Sequence, residues 1–175
     1  MSTLTNDPLL IAAKAIIYFM LGVIAFAGII VAIAIPGVFI FGAEFAGELA
    51  SGELTMGNKV LVSAFLAAVA GLLFLAWRFL WAMLNIAKSV GEGDPFAPAN
   101  GDRLTTMAWI ALAINVLALP VAGLGVFIAQ TIGEETGSVD ASLDFGGILL
   151  VLVLFILARV FRHGTAMRDD LEGTV

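Results

Sequence analysis

Two polar side chains, Arg78 and Asn115, lie inside long apolar stretches of this sequence and are the first candidates for chemistry. An ionisable residue within a membrane segment marks a functional site by default. Arg78, however, stands beside Trp77 and before Trp81, and tryptophan collects at membrane interfaces, where a long arginine side chain reaches the headgroups. For Asn115 we expect a hydrogen bond between helices, worth about 1 kcal/mol in lipid, with a ligand contact as the alternative.

Other reactive residue types are scarce. There is one histidine, His163, at the end of the last apolar stretch, and there is no cysteine, which excludes disulfides, thiolate metal sites and cysteine catalysis. The sequence has no nucleophile–base pair, Gly-rich phosphate loop or H-E-x-x-H motif. We therefore predict no enzyme activity, catalytic residue, cofactor or metal. The net charge of −6 argues against direct binding of nucleic acid.

The composition predicts that these residues are positioned by membrane-spanning helices. The chain is 61% hydrophobic and 13% charged, whereas soluble domains are about half apolar and about a quarter charged. Four apolar runs are each close to or longer than the roughly 20 helical residues that cross a bilayer. We predict an all-α integral membrane bundle of four transmembrane helices in up-down-up-down order, a single domain of residues 1–175. The predicted spans are about 12–35, 60–83, 107–130 and 145–161.

The connections between the spans are predicted from composition. The first apolar run is too long for one perpendicular span, and Pro36 disfavours helix at Ile35. We expect the chain after Pro36 to be kinked or to lie in the interface, with a short amphipathic helix around Glu44 and Glu48. The remaining predicted segments are outer loops 42–58 and 132–144, an inner turn 89–103 and a C-terminal tail 162–175.

The distribution of basic residues predicts the orientation. With four spans both termini lie on one side, and that side holds all of the 8 Lys and Arg residues except Lys59. Loops rich in Lys and Arg stay in the cytoplasm. Both termini and the turn between spans two and three are therefore predicted to be cytoplasmic.

Small residues predict which helix faces pack. Ser63, Ala67 and Gly71 form one row along span two, and Ala118–Ala122 and Gly125–Ala129 form rows in span three. Rows of this kind allow close helix contact in membranes. The fourth span, ILLVLVLFIL, is large and aliphatic all round, which predicts extensive contact with lipid.

The inner turn has the most specific local sequence. The run Gly91–Glu92–Gly93 is expected to end the second helix, because glycine accepts the left-handed cap conformation. Asp94–Pro95 predicts a turn, and Pro98 suits the first turn of the next helix. Residues 100–103 would then extend the third helix below the membrane. The apolar Phe96 has to pack somewhere.

Two motifs resemble a known family. The first is Gly93-Asp94-Pro95-Phe96, followed by Asn100 and Arg103-Leu104, and the second is Phe161-Arg162-His163-Gly164, followed by Arg168 and a closing Thr174-Val175. Together they resemble the YoaS-like family of bacterial integral membrane proteins of unknown function. The resemblance covers the second to fourth spans, and the first span matches by hydropathy alone. The chain departs from the family pattern at Ala97 and Ala99, which puts a capping or ion-pair role there in doubt.

The resemblance implies a location and a partner. It places the chain in the bacterial cytoplasmic (inner) membrane, and many relatives are encoded beside a Cro-like helix-turn-helix regulator. We predict that the turn and the tail form one cytoplasmic surface that signals to or sequesters such a regulator. The predicted partner-binding residues are Asp94, Pro95, Phe96, Asn100, Arg103, Arg162 and Arg168.

Two other functions stay open. One is a small transporter or an immunity-type membrane protein, with Asn115, Pro120 and Pro36 around a cavity. The other is a structural homo-oligomer, in which the rows of small residues form contacts between subunits.

Overall fold

A computed structural model of the chain describes residues 7–41, 56–132 and 145–172. Four helices make up nearly all of these residues, and all four are long and apolar enough to cross a membrane. The fold is the predicted all-α four-helix bundle. The helices are α1 (Pro8–Ile40), α2 (Met56–Gly91), α3 (Pro98–Ile132) and α4 (Phe145–Glu172).

Each helix packs on its neighbour in the chain, so the pairs are α1 with α2, α2 with α3, and α3 with α4. The apolar clusters show that neighbours run antiparallel. One cluster joins the start of α1 to the end of α2 and contains Ile17, Leu21, Leu80 and Leu84. The other joins the start of α3 to the first half of α4 and is built around Leu104, Met107, Ala108, Ala111, Val151, Leu154 and Ala158.

Both clusters lie towards the same end of the bundle. We call this end, which carries residues 92–97, the turn end, and we call the opposite end the far end. Lys59 and Arg78 are separated on α2 by about 28 Å, close to the thickness of a hydrocarbon core. From Arg78 the helix continues for about 20 Å to Gly91. The turn end therefore extends beyond the bilayer core.

The helices are longer than the predicted spans, because polar turns of helix continue outside the apolar segments. Residues 92–97 alone connect α2 to α3, where the sequence predicted a turn over 89–103, and the predicted tail is a continuation of α4 to Glu172. Pro36 lies inside α1, which stays helical to Ile40. The predicted amphipathic helix around Glu44 and Glu48, most of both outer loops and the last three residues lie outside the described residues.

Candidate functional site

The centre of the turn end is Asn100, whose side chain is 0% exposed. Its Nδ2 donates to Ser89 Oγ at 2.7 Å and to the Pro95 carbonyl at 3.0 Å. Its Oδ1 accepts from Arg103 NH1 at 2.8 Å. Burial of an amide without partners costs about 1–3 kcal/mol, and here both amide hydrogens and the carbonyl oxygen are paired. Asn100 thereby fixes the end of α2, the turn and the start of α3 to one another.

Two other side chains complete this network. Ser89 Oγ donates to the Ile86 carbonyl at 2.9 Å while it accepts from Asn100. Arg103 NH1 also lies 3.3 Å from the Asn85 carbonyl, a long hydrogen bond to the last turns of α2. The guanidinium thus ties α3 back to α2 as well as to Asn100.

The turn itself begins with a glycine cap, as the sequence predicts. Gly93 has φ +86°, the left-handed conformation that glycine adopts most readily. The Gly93 amide donates to the Val90 carbonyl at 3.1 Å and the Asp94 amide donates to the Ser89 carbonyl at 3.0 Å. This pair of bonds is a Schellman motif, which satisfies the last carbonyls of α2. Pro98 then begins α3, also as predicted.

The end of α4 packs directly on this turn. The Phe96 and Phe161 rings lie 5.5 Å apart, centroid to centroid. A Cβ added at Gly164 would lie 2.8 Å from the Phe96 ring, so glycine makes room for the aromatic side chain. Thr165 Oγ1 lies 3.0 Å from the Phe96 carbonyl, and Arg168 NH1 lies 2.6 Å from Asp94 Oδ1. The turn and the end of α4 therefore form one surface.

A second set of contacts joins α4 to α3. A Cβ added at Gly101 would lie 2.7 Å from Arg162 Cγ, so the arginine stem crosses α3 at this glycine. Arg162 NH1 donates to Thr105 Oγ1 at 3.1 Å and lies 4.0 Å from Asp102 Oδ1. Both members of this ion pair are more than half exposed, so it adds little to stability.

The structure thus brings the predicted partner-binding residues together but gives them different surroundings. Asn100 and Arg103 point into the network between α2 and α3, and the Pro95 carbonyl is an acceptor within it. Arg162 and Arg168 pair within the chain, with Asp102 and Asp94 respectively. Phe96 keeps 40% of its surface exposed. Binding of a partner by these residues stays a prediction.

Four contact residues were not predicted as site residues: Ser89, Gly101, Gly164 and Thr165. A weak signal exists for the two hydroxyls, since Ser89 and Thr165 are each the first hydroxyl residue after an apolar run. Residue type alone does not show that Ser89 accepts from Asn100 of α3 or that Thr165 lies against the Phe96 carbonyl in the turn.

Phe96 borders an open groove of about 560 Å³ on the α4 side of the turn end. Its other lining residues include Arg159, His163, Gly164 and Met167, and Met167 is 53% exposed. Together with Phe96 these four residues are the turn-end surface. The surface combines two large apolar side chains with one cation and one imidazole.

Arg78 and Asn115, the two predicted intramembrane polar residues, lie apart from this surface. Arg78 is exposed on α2 beside Trp77, whose ring stacks on Trp81 with centroids 6.5 Å apart. Asn115 Nδ2 donates to the Ala111 carbonyl at 2.9 Å within α3, and the Asn115 amide lies against Gly147 of α4. Asn115 is therefore placed at the α3–α4 contact, where glycine lets the two helices approach.

Within residues 7–41, 56–132 and 145–172, no group of three or more His, Asp or Glu side chains is arranged to hold a metal ion. At the turn end, buried hydrogen bonds and close packing hold the described residues in one arrangement. Such a surface suits recognition of another molecule.

No curated protein and no solved structure is significantly similar to the chain. Residues 50–175 match a protein family described as a protein of unknown function, DUF2975. The match includes α2, the turn, α3 and α4, and therefore every contact of the turn-end network described above. The chain is an integral membrane protein and belongs to the DUF2975 family of unknown function.

Proposed function

We propose that this protein is a non-enzymatic membrane protein that signals to or sequesters a cytoplasmic helix-turn-helix regulator at its turn end. The observation that carries the proposal is the turn-end surface, on which the turn and the end of α4 are held together. Phe96, in a polar turn that extends beyond the bilayer core, keeps 40% of its surface exposed although its ring packs on Phe161.

The chemistry of the surface supports a protein partner. Phe96 and Met167 are large apolar side chains that border one groove, and aromatic residues and methionine are enriched at protein interfaces. Arg159 and His163 lie beside them and would face acidic groups on the regulator. The choice of a helix-turn-helix regulator rests on the resemblance to the YoaS-like family.

Rigidity also supports this role. The turn is fixed by its Gly93 cap, by Arg168 at the Asp94 side chain, by Asn100 at the Pro95 carbonyl and by Thr165 at the Phe96 carbonyl. A surface that is ordered before binding loses less conformational entropy when the partner docks. The network would therefore contribute to affinity without touching the regulator.

The first test is the adjacent reading frame, which should encode a small helix-turn-helix protein. That protein is then captured on the full-length membrane protein in detergent, and Met167→Glu is compared with Met56→Glu. Both methionines are exposed, at 53% and 68%, but Met56 lies at the far end. We expect Met167→Glu to lose about tenfold or more in affinity, because a carboxylate replaces an apolar interface contact, and Met56→Glu to bind normally. Equal binding of the regulator by both variants would contradict docking at the turn-end surface.

A structural homo-oligomer is the second candidate, because part of one small-residue row is uncovered within the chain. Ala67 and Gly71 are exposed, and a Cβ added at Gly71 would have no neighbour within 4 Å. Crosslinking in lipid should then give a defined dimer or higher oligomer that Gly71→Leu disrupts. A monomer at every protein-to-lipid ratio would exclude it.

A further inference from the structure

A second groove at the turn end, of about 700 Å³, opens between α2 and α3 and shares no lining residue with the groove beside Met167. Trp77, Arg78, Trp81 and Asn85 line it from α2. Asp102 and Arg103 line it from α3. This groove is distinct from the turn-end surface, and its lining combines polar and aromatic residues.

The groove carries two guanidinium groups that no carboxylate of the described chain neutralises. Arg78 has no ion pair among the described residues. Arg103 donates NH1 to the Asn85 carbonyl and to Asn100 Oδ1, and both of these acceptors are neutral. The one acid in the groove, Asp102, has a side chain that is 84% exposed and lies 4.0 Å from Arg162. The groove therefore has a net positive charge.

The groove also lies at a depth that lipid headgroups occupy. Arg78 is about 28 Å of helix from Lys59, so these two cations mark opposite surfaces of one bilayer. The Asn85 carbonyl, which Arg103 reaches, is about 10 Å further along α2. Trp77 and Trp81 stack with an interplanar angle of 11° and form an aromatic wall at the Arg78 level, as tryptophan does at interfaces.

We infer that this groove binds the phosphate of an anionic phospholipid from the leaflet at the turn end. Arg78 and Arg103 contact the phosphate oxygens, for which the planar guanidinium provides paired donors. Trp77 and Trp81 pack against the glycerol and the first acyl carbons. Since Arg103 also belongs to the Asn100 network, the bound lipid would be linked directly to the order of the turn.

Tryptophan quenching by brominated lipids tests this inference. The full-length chain with Trp109→Phe, which leaves tryptophan at the groove alone, is placed in vesicles that mix phosphatidylcholine with brominated phosphatidylglycerol. Brominated phosphatidylcholine in phosphatidylglycerol is the reverse experiment. We expect the site to prefer phosphatidylglycerol about fivefold, since one basic residue near the surface is worth about 1 kcal/mol towards an anionic lipid.

Three variants separate a site from general surface charge. Arg78→Gln should bring the preference close to one, and Arg78→Lys should retain most of it. Arg159→Gln is the matched control, because Arg159 is an exposed cation on α4 that does not line this groove. Equal losses in Arg78→Gln and Arg159→Gln would overturn the inference, as would equal quenching by the two lipids.

The source of the phosphate is tested in detergent. Inorganic phosphate at millimolar concentration should leave the tryptophan emission of the full-length protein unchanged, whereas added phosphatidylglycerol should alter it. A saturable response to inorganic phosphate that Arg78→Gln abolishes would show a soluble ligand and would contradict the assignment to lipid.

Discussion

The two ends of this bundle are held together by different means. Large side chains and polar groups are buried at the turn end, where Leu84 and Asn100 have no exposed surface. Towards the far end, a Cβ added at Gly28, Gly37, Gly57 or Gly123 would have no neighbour within 4 Å, although one added at Gly125 would lie 3.2 Å from the Phe65 ring. At the turn end, by contrast, Gly101 and Gly164 are each filled by a side chain from another element.

The difference follows from the solvent. In the hydrocarbon core, apolar side chains gain little by leaving lipid for protein, so helices need small residues or hydrogen bonds to associate. Where water reaches, burial of the same side chains is worth about 25 cal/mol per Å². The apolar clusters and the Asn100 network both lie towards the turn end. Most residues of the two clusters lie within the predicted spans, so the contribution of water applies to the turn and its Asn100 network rather than to the clusters.

The largest predicted loss of stability comes from a substitution in the Asn100 network of the turn end. Asn100→Ala removes the partner of Ser89, Pro95 and Arg103, and we expect it to destabilise the protein by about 3 kcal/mol because buried polar groups lose hydrogen bonds. Reversible unfolding by sodium dodecyl sulfate in mixed micelles measures the change. Asn115→Ala is the comparison at mid-bundle, where the Asn115 amide donates to the Ala111 carbonyl of its own helix, and a loss of about 1 kcal/mol is expected. Equal losses would show that the Asn100 network stabilises the protein no more than a single hydrogen bond at mid-bundle does.

One substitution should have opposite signs at two sites. Gly164→Ala places a Cβ against the Phe96 ring and is expected to cost about 1–2 kcal/mol from overpacking. Gly71→Ala meets nothing within 4 Å and should gain about 0.5–1 kcal/mol from helix propensity. Thermal unfolding in detergent compares the two. Destabilisation by Gly71→Ala would mean that another molecule packs on that face.

The turn cap gives a smaller effect. Gly93→Ala forces an alanine to φ +86° and is expected to destabilise the protein by about 1 kcal/mol. Gly57→Ala, in a helix with open space around the residue, is the control and should be neutral or stabilising. Hydrogen exchange of the Asp94 amide should increase in Gly93→Ala if the Schellman bonds open. Unchanged exchange would indicate that the turn is held without its cap.

The smallest effect concerns the ion pair between the turn and α4. Asp94→Asn should cost about 0.5 kcal/mol, because both side chains are more than two-fifths exposed and water screens their attraction. A double-mutant cycle with Arg168→Gln measures the coupling energy. A coupling energy several times larger would place this pair, rather than Asn100, at the centre of the turn end.

The sequence predicted the features that depend on local chemistry. Hydropathy predicted the four helices, the glycines of Gly91–Gly93 predicted the end of α2, and Pro98 predicted the start of α3. It also predicted that the turn and the tail adjoin. The first three depend on the length of an apolar run or on backbone preferences of single residues, and the last follows from the even number of spans, which brings the turn and the tail to the same side.

Other features could not be predicted because they depend on how helices rotate against each other. Asn100 was expected on a docking surface, but it faces inward, where Ser89 and Pro95 satisfy it. Gly71 belonged to a row predicted to pack, yet no helix of the described chain covers it. The continuation of α4 through Arg168 could not be predicted either, because the charged residues there are as typical of a polar tail as of a helix.

The proposed function requires that the turn end face the cytoplasm, and site-directed labelling measures this directly. The chain has no cysteine, so Ala99→Cys at the turn end and Met56→Cys at the far end each introduce a single thiol. Both positions are exposed. In intact cells we expect a membrane-impermeant maleimide to label Met56→Cys, and to label Ala99→Cys after the membrane is opened. Labelling of Ala99→Cys in intact cells would contradict docking of a cytoplasmic regulator at this surface.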